Sequence, residues 1–395
     1  MTMAEVVQFP VKLRRYRFPD EKLINPRPWI MRGLLLKKQV TAVIAAGGTG
    51  KSIFGLVVGL HLCAGRDLGP FKCVGGPKRV AVLSVEEDDE ELDRRLAAIR
   101  RQYGFTQEDA DRLFIINIRD MPILAQAEKN GSVRGTKAMQ ELERLLLHEQ
   151  IEVFLLDPFV EVWAGNENDN SQVKSAAAIF RATARRLNAA CLLTHHVKKG
   201  AVTPGDVDAA RGGSSLAGLV RIAMTMTNMT AEDANAFQLE THKGMVRLDN
   251  AKANYLPGGD KANWFKFHDI ELDNGRDETG GHGDHVGVLA PWAPPALFEG
   301  IAVEDINKLL NIVELGLENG VERYSTGNRS GDRYVVTLVC QELGVSDHRA
   351  QQMVSAWVKS GLLIERDYMS FKQRKTRKGL YVDDTKRPSD APDTT

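Results

Sequence analysis

Ala45-Ala46-Gly47-Gly48-Thr49-Gly50-Lys51-Ser52 is the stretch that decides the fold. It follows the apolar run Gln39–Ala45, which reads as a buried strand. It precedes Ile53-Phe54-Gly55-Leu56-Val57-Val58, which reads as a helix. A glycine-rich turn between strand and helix, closed by Lys-Ser, is a phosphate-binding P-loop. Its backbone N–H groups turn inward, and the helix N-terminus adds partial positive charge. Gly47, Gly48, Thr49 and Gly50 are therefore the expected phosphate cradle. Lys51 is expected to reach the β- and γ-phosphates of ATP, and the Ser52 hydroxyl to ligate Mg²⁺. The usual pattern opens with glycine; here Ala45 stands at the strand end, where a methyl group fits.

Phosphoryl chemistry also needs carboxylates. Val153-Phe154-Leu155-Leu156-Asp157 is an apolar strand ending in a carboxylate, so Asp157 is a second candidate metal ligand. Arg79-Val80-Ala81-Val82-Leu83-Ser84-Val85 is another strand, leading into the acidic run Glu86 to Glu91. Glu86 is the candidate to polarise the attacking water, and Asp88 to Glu91 read as first-turn helix charges. Cys191-Leu192-Leu193-Thr194-His195-His196 ends a further apolar strand, and His195 or His196 is placed as a sensor of the γ-phosphate. Neighbouring strand residues face opposite sides, which argues against a metal shared by the two histidines.

The chain has 395 residues, 43% of them hydrophobic, enough for two or more domains with real cores. Lysine plus arginine equals aspartate plus glutamate, 52 each, so any basic surface must be local. Cys63, Cys73, Cys191 and Cys340 are scattered without a CxxC pair. That favours reduced thiols in a cytoplasmic protein over a disulfide framework or zinc site. No apolar run is long enough to span a membrane, and no signal-peptide core is evident.

Strands are expected at Gln39–Ala45, Arg79–Val85, Leu113–Ile118, Glu152–Asp157 and Ala190–Thr194. Helices are expected near 51–63, 88–103, 136–149 and 171–187. Strands alternating with amphipathic helices imply a mostly parallel sheet covered on both faces, an α/β fold. Further strands, shorter and more antiparallel, are expected at 220–226, 236–241, 245–248 and 264–268. The expected division is an extended segment over 1–30, an ATPase domain over 31–272 and a Gly- and Pro-rich linker over 273–299. A second domain follows over 300–382, then a disordered polar tail over 383–395.

The P-loop, Glu86, Asp157 and His195-His196 followed by Lys198 resemble the RecA-fold ATPases of the RepA type, which are homohexameric replicative helicases related to DnaB-type and KaiC-type proteins. Ala210-Arg211-Gly212-Gly213-Ser214-Ser215, Arg221, Lys252-Ala253-Asn254-Tyr255 and Arg27-Pro28-Trp29 share the likeness, which runs over roughly residues 25 to 270. The resemblance implies a RecA-like P-loop core in which Arg79–Val85 lies beside the P-loop strand. It implies an ATP site shared between subunits of a hexamer, with Arg221 as an arginine finger and Lys252 as a second cation acting on the neighbour's nucleotide. It also implies single-stranded DNA and replication proteins as partners, with the loop Gly205–Arg211, and Arg211 in it, facing the strand.

The C-terminal region departs from the minimal members of that group. Helices are expected at Asp305–Gly316, Val335–Gly344 and from Ser346 to Gly361. Strand-like runs at 362–365 and 377–382 flank Lys372, Arg374, Lys375, Arg377 and Lys378. Helices followed by a basic hairpin resemble a winged helix. Residues 321–382 hold eleven Lys/Arg against six Asp/Glu, an excess of five cations suited to phosphate contacts.

Overall fold

The computed structural model describes residues 15–117, 123–197, 203–206, 216, 218–237, 239–255, 262–275, 280–294, 297–318 and 320–388. Strand β1 (Trp29–Arg32) pairs antiparallel with β2 (Leu35–Leu36) and β4 (Lys72–Cys73) in a small sheet. The P-loop unit is β3 (Val40–Ala46) followed by α1 (Lys51–Ala64). Then come β5 (Val80–Ser84), α2 (Asp89–Tyr103), α3 (Gln107–Ala110) and β6 (Leu113–Asn117). β7 (Ala125–Ala127), β8 (Val133–Gly135) and β10 (Trp163–Ala164) form a second small sheet. Around them lie α4 (Lys137–His148), β9 (Val153–Asp157), α5 (Asn170–Arg186) and β11 (Ala190–Val197).

β12 (Ile222–Asn228), α6 (Ala231–Ala236), β13 (Met245–Ala253), β14 (Asn263–Glu271) and β15 (His285–Trp292) complete the N-terminal part. The main sheet runs β15-β14-β13-β12-β3-β11-β9-β5-β6. β12, β3, β11, β9, β5 and β6 are mutually parallel, and β13 to β15 are antiparallel. This is a large, mostly parallel α/β sheet of the kind a RecA-like core requires.

Four expectations need correction. Arg79–Val85 does not lie beside the P-loop strand: β11 and β9 stand between β5 and β3. The α1 crossover carries the chain past two strand positions, which β9 and β11 fill later. The described residues among 236–241 form no strand. Thr230 caps α6, its side chain accepting from Asp233 N while the Asp233 carboxylate accepts from the Thr230 backbone, so helix wins there. Residues 285–292, expected in a linker, are the edge strand β15, where Pro291 is tolerated near the strand end. Residues 383–388 of the expected disordered tail are tied down. Lys386 donates to Ser360 O, Arg387 to Asn307 O, and Asn307 to Pro388 O.

Every residue of α1 from Ile53 to Cys63 is buried. A helix apolar all round must be covered all round. The parallel strands cover one side. α2 and the β14–β15 pair cover the rest: Phe54 meets Phe265 edge-on, Tyr103 Oη donates to Leu289 O at 2.7 Å, and Arg94 Nε donates to Asp284 Oδ2 at 3.0 Å. His61 is enclosed too, between the edges of Tyr103 and Phe105.

The C-terminal region packs α7 (Val303–Leu315), α8 (Val335–Leu343) and α9 (Asp347–Ser360) against the antiparallel hairpin β16 (Leu363–Ser370) and β17 (Lys375–Val382). Leu309, Leu310, Val339, Met353, Trp357 and Leu380 belong to its separate core. Among the described residues no helix is long and apolar enough to cross a membrane.

Phe54→Ala should lower unfolding free energy by about 3–5 kcal/mol, because the ring is fully buried and packs edge-on against Phe265 of β14. Urea denaturation measures it; a loss below about 1 kcal/mol would contradict this packing.

Candidate nucleotide-binding site

β3 ends at Ala46, and the chain turns through Gly48 (φ 75°) and Gly50 (φ 98°) into α1. Both angles favour glycine. A Cβ on Gly50 would also stand 2.6 Å from the Phe267 ring, whereas the space beside Gly47 and Gly48 is open. The mouth of the turn is thus free for an anion while its hinge is closed. Thr49 Oγ1 donates to Ala46 O at 2.8 Å, bracing the turn. Lys51 Nζ donates to Ala46 O at 2.8 Å and to Ala45 O at 3.3 Å. Burial pulls its pKa below the ordinary value, while Asp157 and Glu86 pull the other way.

β5 and β9 end level with each other, beside Thr194 of β11. Ser84 pairs with Asp157, and the Thr194 hydroxyl donates to Asp157 Oδ1. With Ser52 from α1, these residues line one narrow recess beneath the helix. The two metal candidates, Ser52 and Asp157, are therefore brought together, and the oxygen-only donor set suits Mg²⁺.

A cleft of about 610 Å³ opens above the turn, within the range of ligand sites. Gly48, Gly50, Lys51, Ser52, Glu86 and His196 line it on one side, and Phe267 with residues 285–287 on the other. Glu86 reaches the cleft although β5 is not adjacent to β3. Glu86 Oε1 lies 3.6 Å from His196 Nε2. That nitrogen is buried and makes no hydrogen bond among the described residues, and His196 itself lines the cleft.

His195 points the other way, to Phe159, as strand alternation demands. The pair left open by sequence thus divides: His196 is at the cleft and His195 is behind it. Burial pushes the His195 imidazole down to about 4, with His196 and Lys51 adding to the effect.

Glu87 is the residue that sequence reasoning passed over. It lines both the cleft and the recess beside Asp157. Burial pushes its carboxyl up to about 7 against the pull of Arg95, with Asp157, Glu91 and Glu86 adding repulsion. Within the acidic run it looked like one more helix-start charge, yet Asp88 alone is the cap of α2, accepting from Glu91 N.

Arg221 and Lys252 lie together, away from this site. Arg221 precedes β12, whose Ile222 pairs with Thr41, and Lys252 pairs with Ala223. Arg221 therefore sits beside the start of β3 and Lys252 one strand further out, roughly five or six residues or about 20 Å from the P-loop at the other end. Lys198 and Arg211 lie outside the described residues. On the hairpin, Lys372, Arg374, Lys375 and Lys378 are exposed. Arg377 instead turns toward Glu322, 4.0 Å away.

Residues 10–202 match a family model described as an AAA domain. The match indicates a P-loop NTPase-type domain over these residues. The match supports nucleotide binding and suggests ATPase activity. It takes in the P-loop, Glu86, Asp157, His195 and His196, and it ends before Arg221 and Lys252.

His195 gives the pH prediction. A histidine kept neutral by burial stabilises the fold above the unfolded pKa near 6.5, and that contribution is lost as pH falls toward about 4. His61 shifts in the same direction, so the test is a comparison. Between about pH 7 and about pH 4.5, wild type should lose more urea resistance than His195→Leu. Parallel pH profiles would contradict the assignment.

Proposed function

We propose that this protein is a Mg²⁺-dependent ATPase that assembles into a ring, a homohexamer in the simplest case, and acts as a replication-associated motor on single-stranded DNA. The observation that carries this reading is the division of charge. The cleft holds Lys51, Ser52, Glu86 and His196, and the recess beside it holds Asp157, while Arg221 and Lys252 lie toward the opposite end of the sheet, near the start of β3. In this reading a cation too far from its own P-loop serves a neighbour's.

In this reading Lys51 exchanges the carbonyls of Ala45 and Ala46 for the β- and γ-phosphates. Ser52 and Asp157 would hold Mg²⁺, which would offset charge on the transferring phosphate. Glu86 takes the proton of the attacking water. His196 Nε2, which makes no hydrogen bond among the described residues and has Glu86 at 3.6 Å, meets a γ-phosphate oxygen and reports its loss to Glu86. The guanidinium of Arg221 from the next subunit stabilises charge that develops in the transition state. The C-terminal helices and basic hairpin, read as a winged helix, contact nucleic acid. Their local excess of cations supports this.

Steady-state ATP turnover with and without single-stranded DNA tests the reading. Turnover should rise with DNA and vanish in Lys51→Ala. Glu86→Gln should lower kcat by about 10²- to 10⁴-fold with little change in KM. Turnover indifferent to DNA would contradict the motor and favour an ATP-gated DNA-binding regulator or helicase loader.

A further inference from the structure

The β16–β17 hairpin carries a side chain that neither the nucleotide site nor the C-terminal core uses. Ser370 pairs with Lys375, leaving Phe371-Lys372-Gln373-Arg374 as the turn. Phe371 is 76% exposed, and Met369 beside it 54%. An aromatic ring left in water at a hairpin tip adds nothing to the core, so its stability role is small.

The turn beneath it is firmly held. Ser370 is fully buried, donates to Glu322 Oε1, and accepts from Gln373 N at 3.2 Å. Tyr368 Oη donates to Glu322 Oε2 at 2.6 Å, and Arg333 and Arg377 face the same carboxylate. The ring is thus presented from a fixed base.

Cations surround it. Lys372, Arg374 and Lys375 are exposed on and beside the turn. Among the described residues, Arg374 and Lys375 have no carboxylate partner. Lys372 has Glu318 at 3.0 Å, an exposed pair of little strength that a phosphate can displace. A flat apolar ring fringed by cations complements a chain that alternates negative charge with flat faces. Single-stranded nucleic acid has that chemistry, whereas a duplex keeps its base faces inside the stack.

We propose that Phe371 is a stacking platform for an unpaired base, with Lys372, Arg374 and Lys375 holding the flanking phosphates. This rests on the reading that the C-terminal region contacts nucleic acid. Fluorescence anisotropy of the full-length protein, with a labelled oligothymidine and with a duplex of equal length, tests both. Phe371→Ala should weaken single-strand binding about tenfold, leave duplex binding within about twofold, and be rescued by Phe371→Trp. The double variant Arg374→Ala/Lys375→Ala should weaken both and flatten the salt dependence. If the double variant weakens binding and Phe371→Ala does not, stacking is overturned and nucleic-acid contact stands. If neither variant changes binding, both readings fall. Because Phe371 is exposed, an unchanged melting temperature for Phe371→Ala certifies the comparison.

Discussion

Enclosure of helix α1 is the constraint on which the rest depends. Its residues from Ile53 to Cys63 are apolar or neutral and buried on every side. The parallel sheet covers only one face, so the antiparallel strands β13 to β15 must extend the sheet and bring Phe265, Phe267 and Leu289 to the helix. That closure has a functional consequence. Phe267 packs so tightly against Gly50 that the P-loop hinge admits no side chain, and residues 285–287 become the far wall of the cleft. The nucleotide site therefore draws on strands well beyond the segment that matches an AAA domain. Even the polar residue inside, His61, conforms. It stays neutral, pushed down to about 4 by burial, and bonds to Val57 O at 2.8 Å.

Much of this was legible in the sequence where apolar pattern and turn chemistry agreed. The runs ending at Ala45, Val85, Asp157 and Thr194 became parallel strands because each is short, apolar and bounded by breakers. Gly-Lys-Ser located the cradle. Order in the sheet was not legible, since nothing in Arg79–Val85 says how many strands its crossover will skip. β15 was hidden by the glycines and prolines around it, and its strand character comes from pairing with β14. The β7–β8–β10 sheet is built of pieces too short to show alternation.

At the site, residue type was readable and direction was not. The acidic run named Glu86, and the structure turns Glu87 into the recess as well. The double histidine announced a polar strand end, and only the pleat decides that His196 faces the cleft while His195 backs onto Phe159. Arg221 and Lys252 are far apart in sequence. Their meeting depends on the antiparallel pairing of β12 with β13.

The central claim is that a catalytic site is completed by Arg221 of another subunit. The most direct measurement is ATP turnover in mixtures of two inactive variants, Lys51→Ala and Arg221→Ala. In a mixed ring, a Lys51→Ala subunit can lend its intact arginine to an Arg221→Ala neighbour with a sound P-loop. The account predicts that each variant alone is nearly inactive and that mixing restores a substantial part of the turnover. Full activity of Arg221→Ala by itself, or no recovery at any mixing ratio, would contradict it.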